Sequence, residues 1–387
     1  MKKLTYIFAL LSLYSCLGAN KDQKLWLMHI NLQEQDLKVI IHIDKNNNYL
    51  INSDEKISLS PVNNNFKIGS HYSHLSIDLK DQKGLWVREN KENYQVPLTL
   101  EPIDKTDLFE EYEKKECKQT IAGKWRINLS ETNTGLGNFK QIGCRLKGSI
   151  LTETGDYRYL DGFIKNNSIH IQGFDGVFSF IFKLKFITPT SIEGTMYSGK
   201  SYNTPIKANK DEKFKLTDAN KMTRILEHKE INLLLKDIEG NLIDLTKPLY
   251  QNKVIILQLF GSWCPNCLDE TNFFNQWKKD HPNLASNVAF IALAFENFPE
   301  EKALKALKKA KDNLSMNYPV ILVDYNKKIK ASDILPIDQV RAFPTTLYLD
   351  KNKKIVKVHT GFSGPATGIF FEEYVKDFTN TIKKLIK

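Results

Sequence analysis

The run "VIILQLF", Val254 to Phe260, constrains the chain most, because only Gln258 interrupts its apolar side chains. A strand that is apolar on both faces must be covered on both sides, which places it centrally in an α/β sheet. Its neighbours agree. "EINLLLKDIEGNLIDLT" reads as a hairpin with Glu239, Gly240 and Asn241 at the turn. Downstream come a helix through "FFNQWKKDH", the strand "NVAFIALAF", and the helix "PEEKALKALKKAKDNL", whose first turn suits Pro299 and Glu300. The strand "YPVILVD", two strands in "TTLYLDKNKKIVKVHTG" and the amphipathic helix "FFEEYVKDFTNTIKKLIK" complete the pattern. Residues 225–387 are therefore expected to form an α/β domain with a mixed sheet.

The preceding half reads differently. "LKVIIHIDKNNNYLIN" gives two strands around an Asn-rich turn, and "SHLSIDL", "SIHIQGF" and "FSFIFKLKF" alternate apolar and polar residues. The aromatics of the last run suit a β core better than a ligand box. Only the acidic "DLFEEYEKKE" interrupts the strands, as a connector. Two β-rich units are expected, 20–115 and 116–218, and they align loosely as a duplication. Trp26 would match Trp125, Gly84 Gly194, Tyr94 either Tyr202 or Asn203, and Pro97 Pro205. Chance likeness of two β-rich stretches is the competing reading.

"MKKLTYIFALLSLYSCLGAN" has the charged start and short apolar core of an export signal. Its core is too short to span a bilayer. Two endings stay open: cleavage after Ala19, giving a signal of residues 1–19, or a lipobox-like "LYSC" in which residues 1–15 are removed and Cys16 is lipidated. Both take the chain out of the cytoplasm, to a bacterial periplasm or cell envelope. The formal charge of +10 comes from scattered lysines with no nucleic-acid-binding motif, so a solvated surface is expected and no nucleic-acid partner.

Without Cys16 four cysteines remain, an even number that fits an exported chain with two pairs. Cys117 and Cys144 form a structural pair by elimination, or stay unlinked. Cys264 and Cys267 flank Pro265 and Asn266 in "GSWCPNCLDE". A zinc site would need two more ligands, and no second CxxC or HxxxH occurs, so no metal or cofactor is expected. So short a loop restrains the unfolded chain little, which argues against a mere staple. Redox use fits best. Cys264 follows the buried strand and opens a helix, where free N–H groups and the helix dipole favour a thiolate. It is expected to be the nucleophile and the more exposed sulfur, with Cys267 one turn on as the resolving thiol. Trp263 would shield one side, and Pro265 is tolerated in the first turn.

"WCPNC" with the later "FPTT" (Phe343, Pro344, Thr345, Thr346) resembles the thioredoxin fold, in which that proline is cis and packs on the sulfurs. More closely, "GSWCPNCLDE", "LPIDQVRAFPTTLYLD" and "HTGFSGPATG" resemble the TlpA/ResA-type periplasmic thiol–disulfide oxidoreductases, with "TGDYRYLDG" and "GFDGVFSF" similar to the β-rich region of their larger members. The resemblance implies an α+β multidomain chain, its β-rich N-terminal half followed by a C-terminal thioredoxin-like α/β domain. Trp263, Pro265, Phe343, Pro344 and Thr345 would then contact substrate. It implies disulfide-bearing exported proteins as substrates and a membrane electron donor.

Thioredoxin carries a buried Asp six residues before its first cysteine, where this chain has Gln258. The family offers instead a glutamate after the next strand, here Glu296, as proton relay; a surface cap of the following helix is the alternative. No residue between the cysteines stabilises the thiolate as strong oxidants require, so reduction or isomerisation is expected. A peroxiredoxin would need a P-x-x-x-T/S-x-x-C setting, which "QLFGSWC" lacks. The remaining alternative is a β-rich surface binding or adaptor protein with an accessory redox domain. "GFSGPATG" reads as a tight loop after the last strand, which either lines the active-site face or only leads into the C-terminal helix, and His359 near it is not read as catalytic.

Overall fold

The structure is a computed structural model that describes residues 24–387 apart from 64, 70–72 and 90. The export signal and Cys16 lie outside the described residues.

The first eight strands, Leu25–Leu32 through Gln95–Pro102, form a closed antiparallel barrel. Successive strands pair with their neighbours, and the last returns to the first through Trp26↔Pro102 and Ile30↔Leu98. Alternation does the sorting: in Gln95–Pro102 the residues Val96, Leu98 and Leu100 are buried and those between them are exposed. Met28, Ile30, Leu50, Leu75 and Trp86 fill the interior.

The next sheet has nine strands, from Gly123–Asn128 to Tyr202–Lys210. Thr134–Ile142 pairs on both sides, and Tyr202–Lys210 returns to Gly123–Asn128, so eight of them close a second barrel and the short Gly155–Asp156 stays outside. Its core holds Trp125, Phe139, Phe182 and Met196.

The two barrels share a register. Pro97 pairs with Leu85, just after Gly84, and Pro205 pairs with Thr195, just after Gly194. Trp26 pairs with Pro102 and Trp125 with Lys210, the same step beyond each proline. A Cβ at Gly84 would lie 2.3 Å from the Ser76 carbonyl oxygen, and one at Gly194 2.0 Å from that of Lys183. Both glycines thus permit the same close strand approach. The matched pairs of the sequence alignment occupy equivalent positions, with Tyr202 rather than Asn203 the counterpart of Tyr94.

The connector folds as one helical turn, Glu110–Glu113. Glu113 and Asp107 beside it bind the buried Arg145 at 2.8 and 2.6 Å, and Asp161 holds the other guanidinium edge. Cys117 and Cys144 are disulfide-bonded, tying the connector to the second barrel.

The C-terminal region carries a five-stranded sheet. Its order is Val320–Asp324, Val288–Phe295, Val254–Phe260, Thr345–Leu349, Ile355–Thr360, with the first three parallel and the rest antiparallel. Every residue of the central Val254–Phe260 is buried. Ile256 and Phe260 pack with Phe274, Trp277 and Phe378 of helices Pro265–Asp280 and Ile369–Ile386. Ile255, Leu257 and Leu259 face the opposite layer with Ile231, Leu245 and Ile337. The period of two sends alternate residues to two cores, which is why the run is apolar on both faces except at Gln258.

Candidate active site

The central strand ends at Phe260, and the turn Gly261–Cys264 leads into the helix Pro265–Asp280. Cys264 is the N-cap, and its sulfur accepts the Cys267 backbone N–H at 3.2 Å. Pro265 sits where a helix needs no internal donor. The two cysteines are disulfide-bonded in this structure. Cys264 is the more exposed, but only 4% of it is accessible, and Cys267 is fully buried.

Strands distant in sequence complete the site. The Phe343–Pro344 peptide bond is cis, and the Phe343 carbonyl oxygen lies 3.5 Å from the Cys264 sulfur. Trp263 packs edge-on against Phe343 at 5.6 Å, and its indole N–H donates to the Phe295 carbonyl at 2.9 Å. Trp263, Pro265 and Phe343 line the cleft before Cys264. The Thr345 side chain is buried and donates to the Ala342 carbonyl at 2.7 Å, which holds the loop beside the cis proline.

Glu296 is buried, not a surface cap. Its carboxylate accepts the Ser262 backbone N–H at 2.7 Å and the Ser262 hydroxyl at 2.8 Å, fixing the turn that presents Cys264. Burial pushes its pKa up to about 7, against the two Ser262 hydrogen bonds.

The sequence reading missed a second buried acid. Glu270 lies one turn beyond Cys267 on the same helix and is fully buried. It accepts hydrogen bonds from Thr346 at 2.7 Å, Tyr374 at 2.8 Å and Gln258 at 2.9 Å. Gln258 also reaches the Cys267 carbonyl at 3.3 Å, so it joins the resolving cysteine's turn to Glu270. Burial outweighs these donors and pushes the Glu270 pKa up to about 7. The available signal was helical spacing: Cys267, Glu270 and Thr271 share the face that meets Gln258.

The helix also carries Asp269, which pairs with Arg158 of the second barrel at 3.1 Å. Arg158 is buried and pairs with Glu55 of the first barrel at 2.5 Å and with Asp175 at 3.4 Å. One guanidinium therefore joins all three units beside the redox helix. Asp156 accepts the Gly364 N–H at 2.7 Å, fixing the loop after the last strand. The sequence segments "TGDYRYLDG" and "GFDGVFSF" supply Asp156, Arg158 and Asp175.

The Redoxin family model matches residues 215–369. A thiol-disulfide oxidoreductase ResA of Halalkalibacterium halodurans is 26% identical over 153 residues, 40% of this chain and 74% of that protein. The C-terminal region is a TlpA/ResA-like member of the thioredoxin superfamily. The corresponding enzyme class is thiol-disulfide oxidoreductase. The ResA of Geobacillus thermodenitrificans is 27% identical over 135 residues, 34% of this chain and 66% of that protein. Among solved structures, a secreted thiol-disulfide isomerase from Corynebacterium glutamicum is 18% identical, with 45% of this chain and 96% of that one covered at a TM-score of 0.33. The Redoxin match begins after the last strand of the second barrel, which ends at Lys210.

Proposed function

We propose that the chain is an exported thiol:disulfide oxidoreductase that reduces disulfides of extracytoplasmic bacterial proteins. The observation that carries the reading is Cys264, a helix N-cap sulfur 3.5 Å from the Phe343 carbonyl oxygen. The reduced Cys264 thiolate attacks one sulfur of a substrate disulfide. That bond breaks, and the departing substrate sulfur takes a proton. Cys267 then loses its proton and attacks the Cys264 sulfur, releasing the second substrate thiol and closing the internal disulfide. Two electrons pass to the substrate, and an external dithiol, supplied by a membrane electron donor, restores them. The helix N-terminus stabilises Cys264 as a thiolate in the reduced form.

Two buried acids serve the proton transfers. Glu270, on the Cys267 side, accepts the proton that Cys267 must lose. Glu296 keeps the relay role on the Cys264 side and orients the Ser262 turn. The segment 1–19, or a lipid on Cys16, would deliver the domain to the envelope.

The test uses pre-reduced full-length protein and a disulfide-bonded substrate. C264S is expected to abolish reduction, and C267S to accumulate mixed disulfides through Cys264. Full reduction by C264S would refute the nucleophile. A midpoint potential in the range of strong oxidants would refute the direction.

A further inference from the structure

The cleft in front of Cys264 has two walls from different parts of the chain. The redox domain provides Trp263, Cys264 and Phe343, and the second barrel provides the facing wall. The cleft has a volume of about 380 Å³, within the range of specific ligand sites. Because Cys264 is almost wholly covered, a substrate must enter this space to meet the sulfur.

The barrel wall is aromatic. Tyr157 and Phe180 pack with centroids 4.6 Å apart, and Phe178 stacks on Phe180 at 5.9 Å. Tyr202 lines the same cleft. Phe178 is 40% exposed and Tyr202 53%, so both present ring surface that folding has left open. The charged residues of the lining are already engaged. Arg158 pairs with Asp175, Glu55 and Asp269, and Asp156 accepts two backbone N–H groups. The cleft offers apolar surface beside a reactive sulfur and little unspent charge.

The wall is also held in place. The Arg158–Asp269 pair ties it to the redox helix itself, and Asn138 donates to the Thr367 carbonyl at 3.3 Å. Gly155 lies against Asn266 between the two cysteines, where a Cβ would sit 2.0 Å from the amide nitrogen. The aromatic rings therefore stand at a fixed position relative to Cys264.

We propose that the second barrel is the specificity wall of the redox site, and that the cleft selects an extended peptide whose reacting cysteine is flanked by an aromatic side chain. The reacting sulfur requires a disulfide, and the rings on both walls select the neighbouring side chain. This inference rests on the oxidoreductase reading. Electrons follow the exchange already described: the peptide disulfide is reduced as Cys264 and Cys267 become oxidised.

The experiment uses pre-reduced full-length protein and two disulfide-linked peptide dimers of equal charge, one with Phe and one with Ser beside the cysteine. The measurement is the second-order rate constant for oxidation of the protein. Burying one aromatic ring is expected to favour the Phe peptide by about tenfold or more. F178S and Y202S are each expected to bring the ratio toward one, and F178L to keep most of the preference. Both positions are partly exposed, so the variants should fold, which their melting transitions check. Equal rates in the wild type, or a ratio untouched by F178S and Y202S, overturn the inference alone. A wild type that reduces neither peptide overturns the oxidoreductase reading and the inference with it.

Discussion

Replacing Glu270 by Gln tests the buried acid behind the resolving cysteine. The carboxyl has an ordinary pKa of 4.5 and is pushed to about 7 by burial. Between these values the folded chain keeps the proton while the unfolded chain has lost it. The folded state then binds more protons, so stability falls as pH rises through the window. The contribution is complete below pH 4.5 and gone above about 7. At about 1.4 kcal/mol per unit, the loss is on the order of 3 kcal/mol. E270Q removes this titration and keeps the shape and the acceptor oxygen. Urea unfolding of oxidised wild type and E270Q at steps from about pH 4.5 to 8 reads it out. The difference in unfolding free energy should shift against the wild type by on the order of 3 kcal/mol across the window. Glu296 and Glu55, also raised to about 7, titrate in both proteins and cancel. A constant offset with no pH dependence would refute the buried-acid argument, because a packing defect costs the same at every pH.

R158M leaves the buried Asp175 and the half-buried Glu55 and Asp269 without their shared cation. A loss of about 3–5 kcal/mol is expected in denaturant unfolding, with earlier proteolysis between the barrels and the redox domain. The double variant C117A/C144A opens a loop with a sequence separation of 27 and should lower stability by about 3 kcal/mol without changing the redox potential of the Cys264–Cys267 pair. E296Q removes an acid with a pKa of about 7 that holds the turn before Cys264 through Ser262. It should flatten the pH–rate profile of disulfide reduction near neutrality, whereas a purely structural role would lower the rate evenly.

The redox half was legible because its signals are local and periodic. The seven-residue strand Val254–Phe260 is apolar on both faces because two cores receive its alternate side chains. The cysteines follow it at the helix N-terminus, as strand-then-helix patterning required. The barrels were legible as strands and as a possible repeat, since alternation and the Gly–Pro spacing survive in sequence. Their closure was not, because Trp26↔Pro102 and Trp125↔Lys210 join residues far apart in the chain.

By itself, then, the sequence determined the central strand, the pairing of Cys264 with Cys267, and the β-rich character of the first half. Local periodicity and close spacing carry that information. Only the tertiary structure decided that Glu296 is buried behind Ser262, that Glu270 lies behind Cys267 in a cage of Thr346, Tyr374 and Gln258, and that Thr345 faces inward. It alone set the barrel wall opposite Cys264. These facts depend on desolvation and on contacts between distant segments, and burial is a property of the folded chain rather than of any stretch within it.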